Sequence, residues 1–129
     1  MSILGQQYRK SMRNRVRRGF RGYPLATVAF YGPDEKRASK VAVGIIRGAG
    51  QEVAELRRWY SEQGDVRVDQ HINREIVEFI HARAVRTVVG VERIVGCPHE
   101  EGIDYPEGVV CPACPYWANR DRWTGEIIH

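Results

Sequence analysis

Apolar residues in this chain fall into short runs broken by glycine, proline and charge. LATVAFY, residues 25–31, is rich in strand formers and is followed by GPDEK, a turn with Pro33 in a favoured early position. SKVAVGIIR, residues 39–47, predicts a second strand, and GAGQ a second turn. The run EVAELRRWY, residues 52–60, fits a strand, with Ala54, Leu56, Arg58 and Tyr60 alternating against Val53, Glu55, Arg57 and Trp59; it also fits a short helix. Three short runs separated by tight turns favour the strand, and with it an antiparallel meander.

The period then changes. Asp69 is placed as a helix N-cap, and Ile72, Ile76, Phe79 and Ile80 supply an apolar stripe at helical spacing through Ala84. RTVVGV, residues 86–91, alternates like a strand that runs on toward Ile94. The fold class expected is α+β or α/β: a three-stranded meander, one crossover helix, a further strand and a C-terminal loop. Its core draws on Val28, Phe30, Val41, Val43, Ile72, Ile76, Ile80 and Val89. This order resembles the first half of a ribonuclease H-like sheet in topology alone, since the first strand has no acid where that fold would hold metal.

Ahead of the first strand, Tyr8, Met12 and Val16 recur at i, i+4 and i+8, so residues 7–18 predict a helix with a thin apolar stripe, ended by Gly19. Phe20 to Pro24 form an aromatic, glycine-containing hinge. The division expected is a basic arm over 1–23, a core over 24–95 and a C-terminal segment over 96–129.

Composition narrows the class. With 129 residues and 43% hydrophobic content, the chain fits one domain with a modest core. No apolar run approaches the roughly 18–20 residues a membrane helix needs, and no secretory signal opens the chain, so the expectation is a soluble, cytoplasmic protein. Net charge is +4, but it is unevenly spread. Residues 8–22 carry Arg9, Lys10, Arg13, Arg15, Arg17, Arg18 and Arg21, with no acid before Asp34. These are seven of the 20 basic residues, leaving 13 against 16 acids elsewhere. The arm holds the positive field.

All three cysteines lie in GCPHEEGIDYPEGVVCPACPYW, residues 96–117. Three cannot all pair internally, and their grouping fits a reducing compartment in which thiolates hold metal. Cys97 and His99 form CxH, and Cys111 and Cys114 form CxxC. Two short ligand pairs on two turns can converge on one ion, and a Cys3His donor set suits tetrahedral zinc, one Zn2+ per chain. Pro98, Pro112 and Pro115 stiffen the ligand turns, and Gly96, Gly102 and Gly108 allow reversals. Two other patterns lie close. A Rieske iron-sulfur centre would place histidine where Cys114 stands, and a zinc deaminase would place proline where Val110 stands and leave Cys97 spare. Glu100, Glu101, Asp104 and Glu107 make the loop acidic, either as a solvated turn or as a docking surface for the arm or a partner. Tyr105, Tyr116, Trp117 and Trp123 are expected to cover the metal and dock it on the sheet. Asp65, Asp69 and His71 cluster in GDVRVDQH, where capping and a polar turn explain the two acids.

The CPHEEG and CPACPYW segments resemble the C-terminal CPHEEG...CPxCPxW pattern of a family of small uncharacterised bacterial proteins. That resemblance implies no activity, partner or catalytic residue.

The function expected is a non-enzymatic, zinc-stabilised module that binds RNA or a ribonucleoprotein, such as the ribosome, through Arg9, Lys10, Arg13, Arg15, Arg17, Arg18, Phe20, Arg21 and Tyr23. The alternatives are a protein adaptor that docks through its zinc loop and a small zinc hydrolase or deaminase with Glu100 or Glu101 as base.

Overall fold

The computed structural model describes Val16, residues 18–118 and Arg120. Among the described residues, four strands and a 13-residue helix make a small α+β fold: β1 (Leu25–Tyr31), β2 (Lys40–Ile46), β3 (Glu55–Tyr60), α1 (Gln70–Ala82) and β4 (Thr87–Ile94). β1, β2 and β3 form the antiparallel meander, with Val28 opposite Val43 and Val43 opposite Arg57. The sheet as a whole is mixed. Helix α1 crosses over, and β4 returns parallel to β1, giving the order β3-β2-β1-β4.

Local chemistry sets the ends of α1. Asp69 accepts a hydrogen bond from the Ile72 N–H at 2.9 Å, satisfying one of the free donors of the first turn. The helix stops at Ala82, two residues short of the expected end, and Ala84 takes a positive φ of 53° that helical backbone does not allow. Ile72, Ile76, Phe79 and Ile80 are buried as their spacing predicted, joined by Val77. The first four pack on the inward row of the sheet: Ala26, Val28, Val41, Val43, Ile45, Val88 and Ile94. Trp59 meets Phe79 edge to face, with ring centroids 5.9 Å apart, and this fastens the outer strand β3 to the helix. Phe30 packs against this core but stays half-buried.

One expected core residue faces the other way. Val89 is 48% exposed, and Val88 is buried in its place. Register gives the reason. Val88 pairs with Ala26 and Val89 with Thr27, so the strand's parity is set by β1, whose inward residues are Ala26 and Val28. Next along β4, a side chain at Gly90 would collide with the Val28 carbonyl oxygen, and the β1–β4 register shifts just beyond it. The face opposite the helix therefore carries a row of Val89, Thr27, Gly44 and Leu56.

The segment after β4 folds back on the β1 end of the sheet. Gly32 N–H donates to the Gly96 carbonyl at 2.9 Å, Val95 N–H to the Phe30 carbonyl at 2.9 Å, and the Trp117 indole N–H to the Gly32 carbonyl at 2.8 Å. Among the described residues, no helix is long and apolar enough to cross a membrane.

Candidate metal centre

Two turns bring the four sequence-predicted ligands together. On the first, Pro98 separates Cys97 from His99, and the His99 N–H donates to Cys97 Sγ at 3.3 Å. On the second, Cys111 and Cys114 flank Pro112 and Ala113, and Pro115 opens a short 3-10 turn to Trp117. Gly102 and Gly108 take positive φ in the loop between them. The donor atoms all lie within 4.8 Å of one another. His99 Nδ1 lies 3.3 Å from Cys97 Sγ, 3.5 Å from Cys111 Sγ and 3.4 Å from Cys114 Sγ. The four residues can hold a metal ion, and among the described residues they are the one such group.

Cys111 and Cys114 are 7% and 2% exposed. Burial pushes the Cys114 thiol up to about 12, with the neighbouring Cys97 sulfur adding to the effect, and burial moves the Cys97 thiol in the same direction. Sulfurs packed this closely resist ionising beside one another, whereas a dication at their centre would favour three thiolates.

Sequence reasoning missed what holds this loop on the sheet. Glu100, next to His99, reaches back to two cations of the meander. Lys40, on β2, is 3% exposed, and its Nζ donates to Glu100 Oε2 and to the Pro98 carbonyl, both at 2.9 Å. Arg58, on β3, donates from Nη2 to Glu100 Oε1 at 2.7 Å; its Nε lies 2.6 Å from Oε2 as an ion pair without an aligned hydrogen bond. Arg58 and then Lys40 hold the Glu100 carboxyl below the usual carboxylate range. Tyr31 and Tyr60 place their rings 5.4 and 5.8 Å from Lys40 Nζ. Lys40 shares the face of Ala42 and Gly44, opposite the inward Val41, Val43 and Ile45, so alternation reads it as solvated, and only the returning loop shows that it is buried and needs a carboxylate.

The other loop acids also turn inward. Asp104 accepts from the Glu100 N–H at 2.7 Å, and Glu101 accepts from the Gly108 N–H at 3.1 Å. Three of the four therefore brace the loop itself. Beside the cluster lies a cleft of about 160 Å³, lined in part by Tyr105, Val109, Val110, Trp117 and Arg120. Tyr116 packs edge to face on Trp117 at 4.9 Å and hydrogen-bonds Glu35 of the β1–β2 turn. Trp123 lies outside the described residues.

Asp65 and Asp69 have structural roles. Asp65 forms a two-pronged pair with Arg67, at 2.9 and 2.6 Å, and Asp69 is the cap of α1. His71 Nε2 contacts Glu75 at 2.9 Å. Of the arm residues, Arg18, Phe20 and Arg21 are exposed and Tyr23 is half-buried, while Arg9, Lys10, Arg13, Arg15 and Arg17 lie outside the described residues.

Comparison of the chain with protein-family models, curated proteins and solved structures returns no match. The functional reading rests on the residues themselves.

Proposed function

We propose that the protein is a non-enzymatic, zinc-stabilised module of the reducing cytoplasm that binds RNA or a ribonucleoprotein through its arginine-rich arm. The observation that carries the structural half is the spacing around His99. With metal–sulfur bonds of about 2.3 Å and metal–nitrogen bonds of about 2.0–2.1 Å, a tetrahedral zinc site has sulfur–nitrogen edges of about 3.6 Å. The three edges from Nδ1 measure 3.3 to 3.5 Å, so the donors stand close to where zinc would set them. Cys97, Cys111, Cys114 and His99 Nδ1 would complete the coordination sphere and leave no position for substrate.

Hydrolase or deaminase chemistry loses support on two counts. A four-donor sphere is closed, and Glu100, the nearest candidate base, is a clamped carboxylate held below its usual range. The adaptor reading is weakened because Glu100, Glu101 and Asp104 are engaged within the fold. Residues 8–22 carry seven basic side chains with no acid among them. Guanidinium groups meet phosphates through paired donors, and that chemistry matches RNA.

The test is filter binding of the full chain to RNA across a salt series. If about five arm charges meet phosphates, log K falls against log salt with a slope of roughly −3.5 to −4.5. Charge reversal at Arg15, Arg17 and Arg18 should reduce both affinity and slope. Protein partners that survive nuclease treatment, with no salt-dependent RNA binding, would replace this reading with the adaptor.

A further inference from the structure

Most of the described arginines are engaged within the fold. Arg47 and Arg83 pair with Glu55, Arg57 with Glu75, Arg58 with Glu100, Arg67 with Asp65 and Arg74 with Glu78. Arg37 is spent on the carbonyls of Ser61 and Gly64. By contrast, the side chains of Arg18, Arg21 and Arg86 are exposed and make no hydrogen bond or ion pair with another of the described residues. The fold brings two of them to one place, although 65 residues of sequence separate Arg21 from Arg86.

Thr87 creates the convergence. Its hydroxyl, on a residue 2% exposed, accepts from the Arg21 N–H at 2.8 Å and donates to the Gly22 carbonyl at 2.7 Å. Next door, the Arg86 N–H donates to the Pro24 carbonyl at 2.8 Å. The Arg86 guanidinium then lies across the backbone at Gly22, where a Cβ would sit 3.4 Å from its Nη1. Phe20, two residues before Gly22, is 64% exposed, and Tyr23 meets its ring edge to face at 5.3 Å. An exposed aromatic face near guanidinium groups is a surface on which a base can stack while its phosphates meet the cations.

We propose that Phe20, Arg21 and Arg86 form a preorganised site for single-stranded RNA, in which an unpaired base stacks on Phe20 and the flanking phosphates meet the guanidinium groups. The inference rests on the RNA-binding reading of the arm and names its substrate class. Base faces in a duplex are covered by their neighbours, so a flat ring on a fixed backbone engages only an unstacked base. Thr87 holds ring and cations in register before the ligand arrives, which lowers the ordering cost of binding.

Fluorescence anisotropy of the full chain with a short single-stranded oligoribonucleotide, and with the duplex of the same sequence, tests this. The single strand should bind more tightly. Phe20→Ala should weaken it about 5- to 100-fold, the range a stacked base contributes. Arg86→Gln, at an exposed position remote from the arm in sequence, should weaken it and reduce the salt slope by about 0.7, one phosphate's share. Thr87→Ser keeps the hydroxyl and should retain binding, while Thr87→Val should lose part of it. Thermal unfolding of each variant separates these effects from misfolding. Single-strand affinity unchanged in both Phe20→Ala and Arg86→Gln would remove this site while leaving the arm's RNA binding intact. Failure of the full chain to bind either RNA would overturn the RNA reading and this site with it. Equal competition by polyglutamate, insensitive to Phe20, would reassign the cations to an acidic protein partner.

Discussion

Lys40 of β2 and Glu100 of the metal loop meet at 2.9 Å, 60 residues apart in sequence. The pair joins the candidate metal centre to the middle of the meander, so the loop and the sheet do not vary independently. Lys40 is sealed from water, and Glu100 is the carboxylate that makes its burial tolerable.

Removing one member of that pair should therefore harm more than removing both. Glu100→Ala strands a buried ammonium, at an expected cost of about 3 kcal/mol, and Lys40→Met/Glu100→Ala should cost less than the sum of the single changes. Urea unfolding of the four members of the cycle measures the coupling. Strict additivity would show that the contact contributes nothing to the fold.

Metal content gives the second prediction. Protein purified without chelator should carry close to one zinc per chain by elemental analysis, and Cys111→Ser should carry far less. Structural zinc contributes on the order of 10 to 16 kcal/mol of apparent binding in finger peptides, so its loss should expose residues 96–117 to protease. Iron in place of zinc would reject the assignment.

The orientation of β4 can be read from a pair of truncations. Ile76→Ala, in a side chain 2% exposed, should cost about 2 to 5 kcal/mol. Val89→Ala should fall within about 0.5 kcal/mol of the parent, because that side chain faces outward. Comparable losses at the two sites would put Val89 back in the core.

Asp65 supplies a pH dependence. Burial alone would raise its pKa, but the Arg67 side chain and the N–H groups of Ala38 and Arg67 outweigh it and hold the carboxyl below its usual range. A carboxyl lowered on folding contributes stability that is full above its unfolded pKa of about 3.9 and is lost as pH falls through the folded value. Asp65→Asn should thus be destabilising at neutral pH and progressively less so in acid, as urea midpoints across the pH range will show. A penalty that grows on acidification would contradict the sign.

Much of this architecture was legible in the sequence because it depends on neighbours within a few residues. Asp69 and the stripe Ile72, Ile76, Phe79, Ile80 specify a capped, one-sided helix locally, and the CxH and CxxC pairs need only two turns to meet. What failed depends on distant partners. Val88 and Val89 are the same letter, and the alternation of RTVVGV led to Val89 as the buried one; only β1, bonded alongside, decides otherwise. In the same way, nothing adjacent to Lys40 or Arg58 announces Glu100, and nothing near Arg21 announces Thr87. Arg9 to Arg15 lie outside the described residues, so that part of the arm stands on its composition.

The Trp117 indole seated on the Gly32 carbonyl also has a temporal side. The two residues are 85 positions apart, and at about 5 to 20 residues per second a ribosome would make the first roughly 4 to 17 s before the second. Through that interval the corner after β1 must persist on its own hairpin with β2, whose pairing is local and forms in microseconds. The knuckle is thus a late arrival that closes on a template already built.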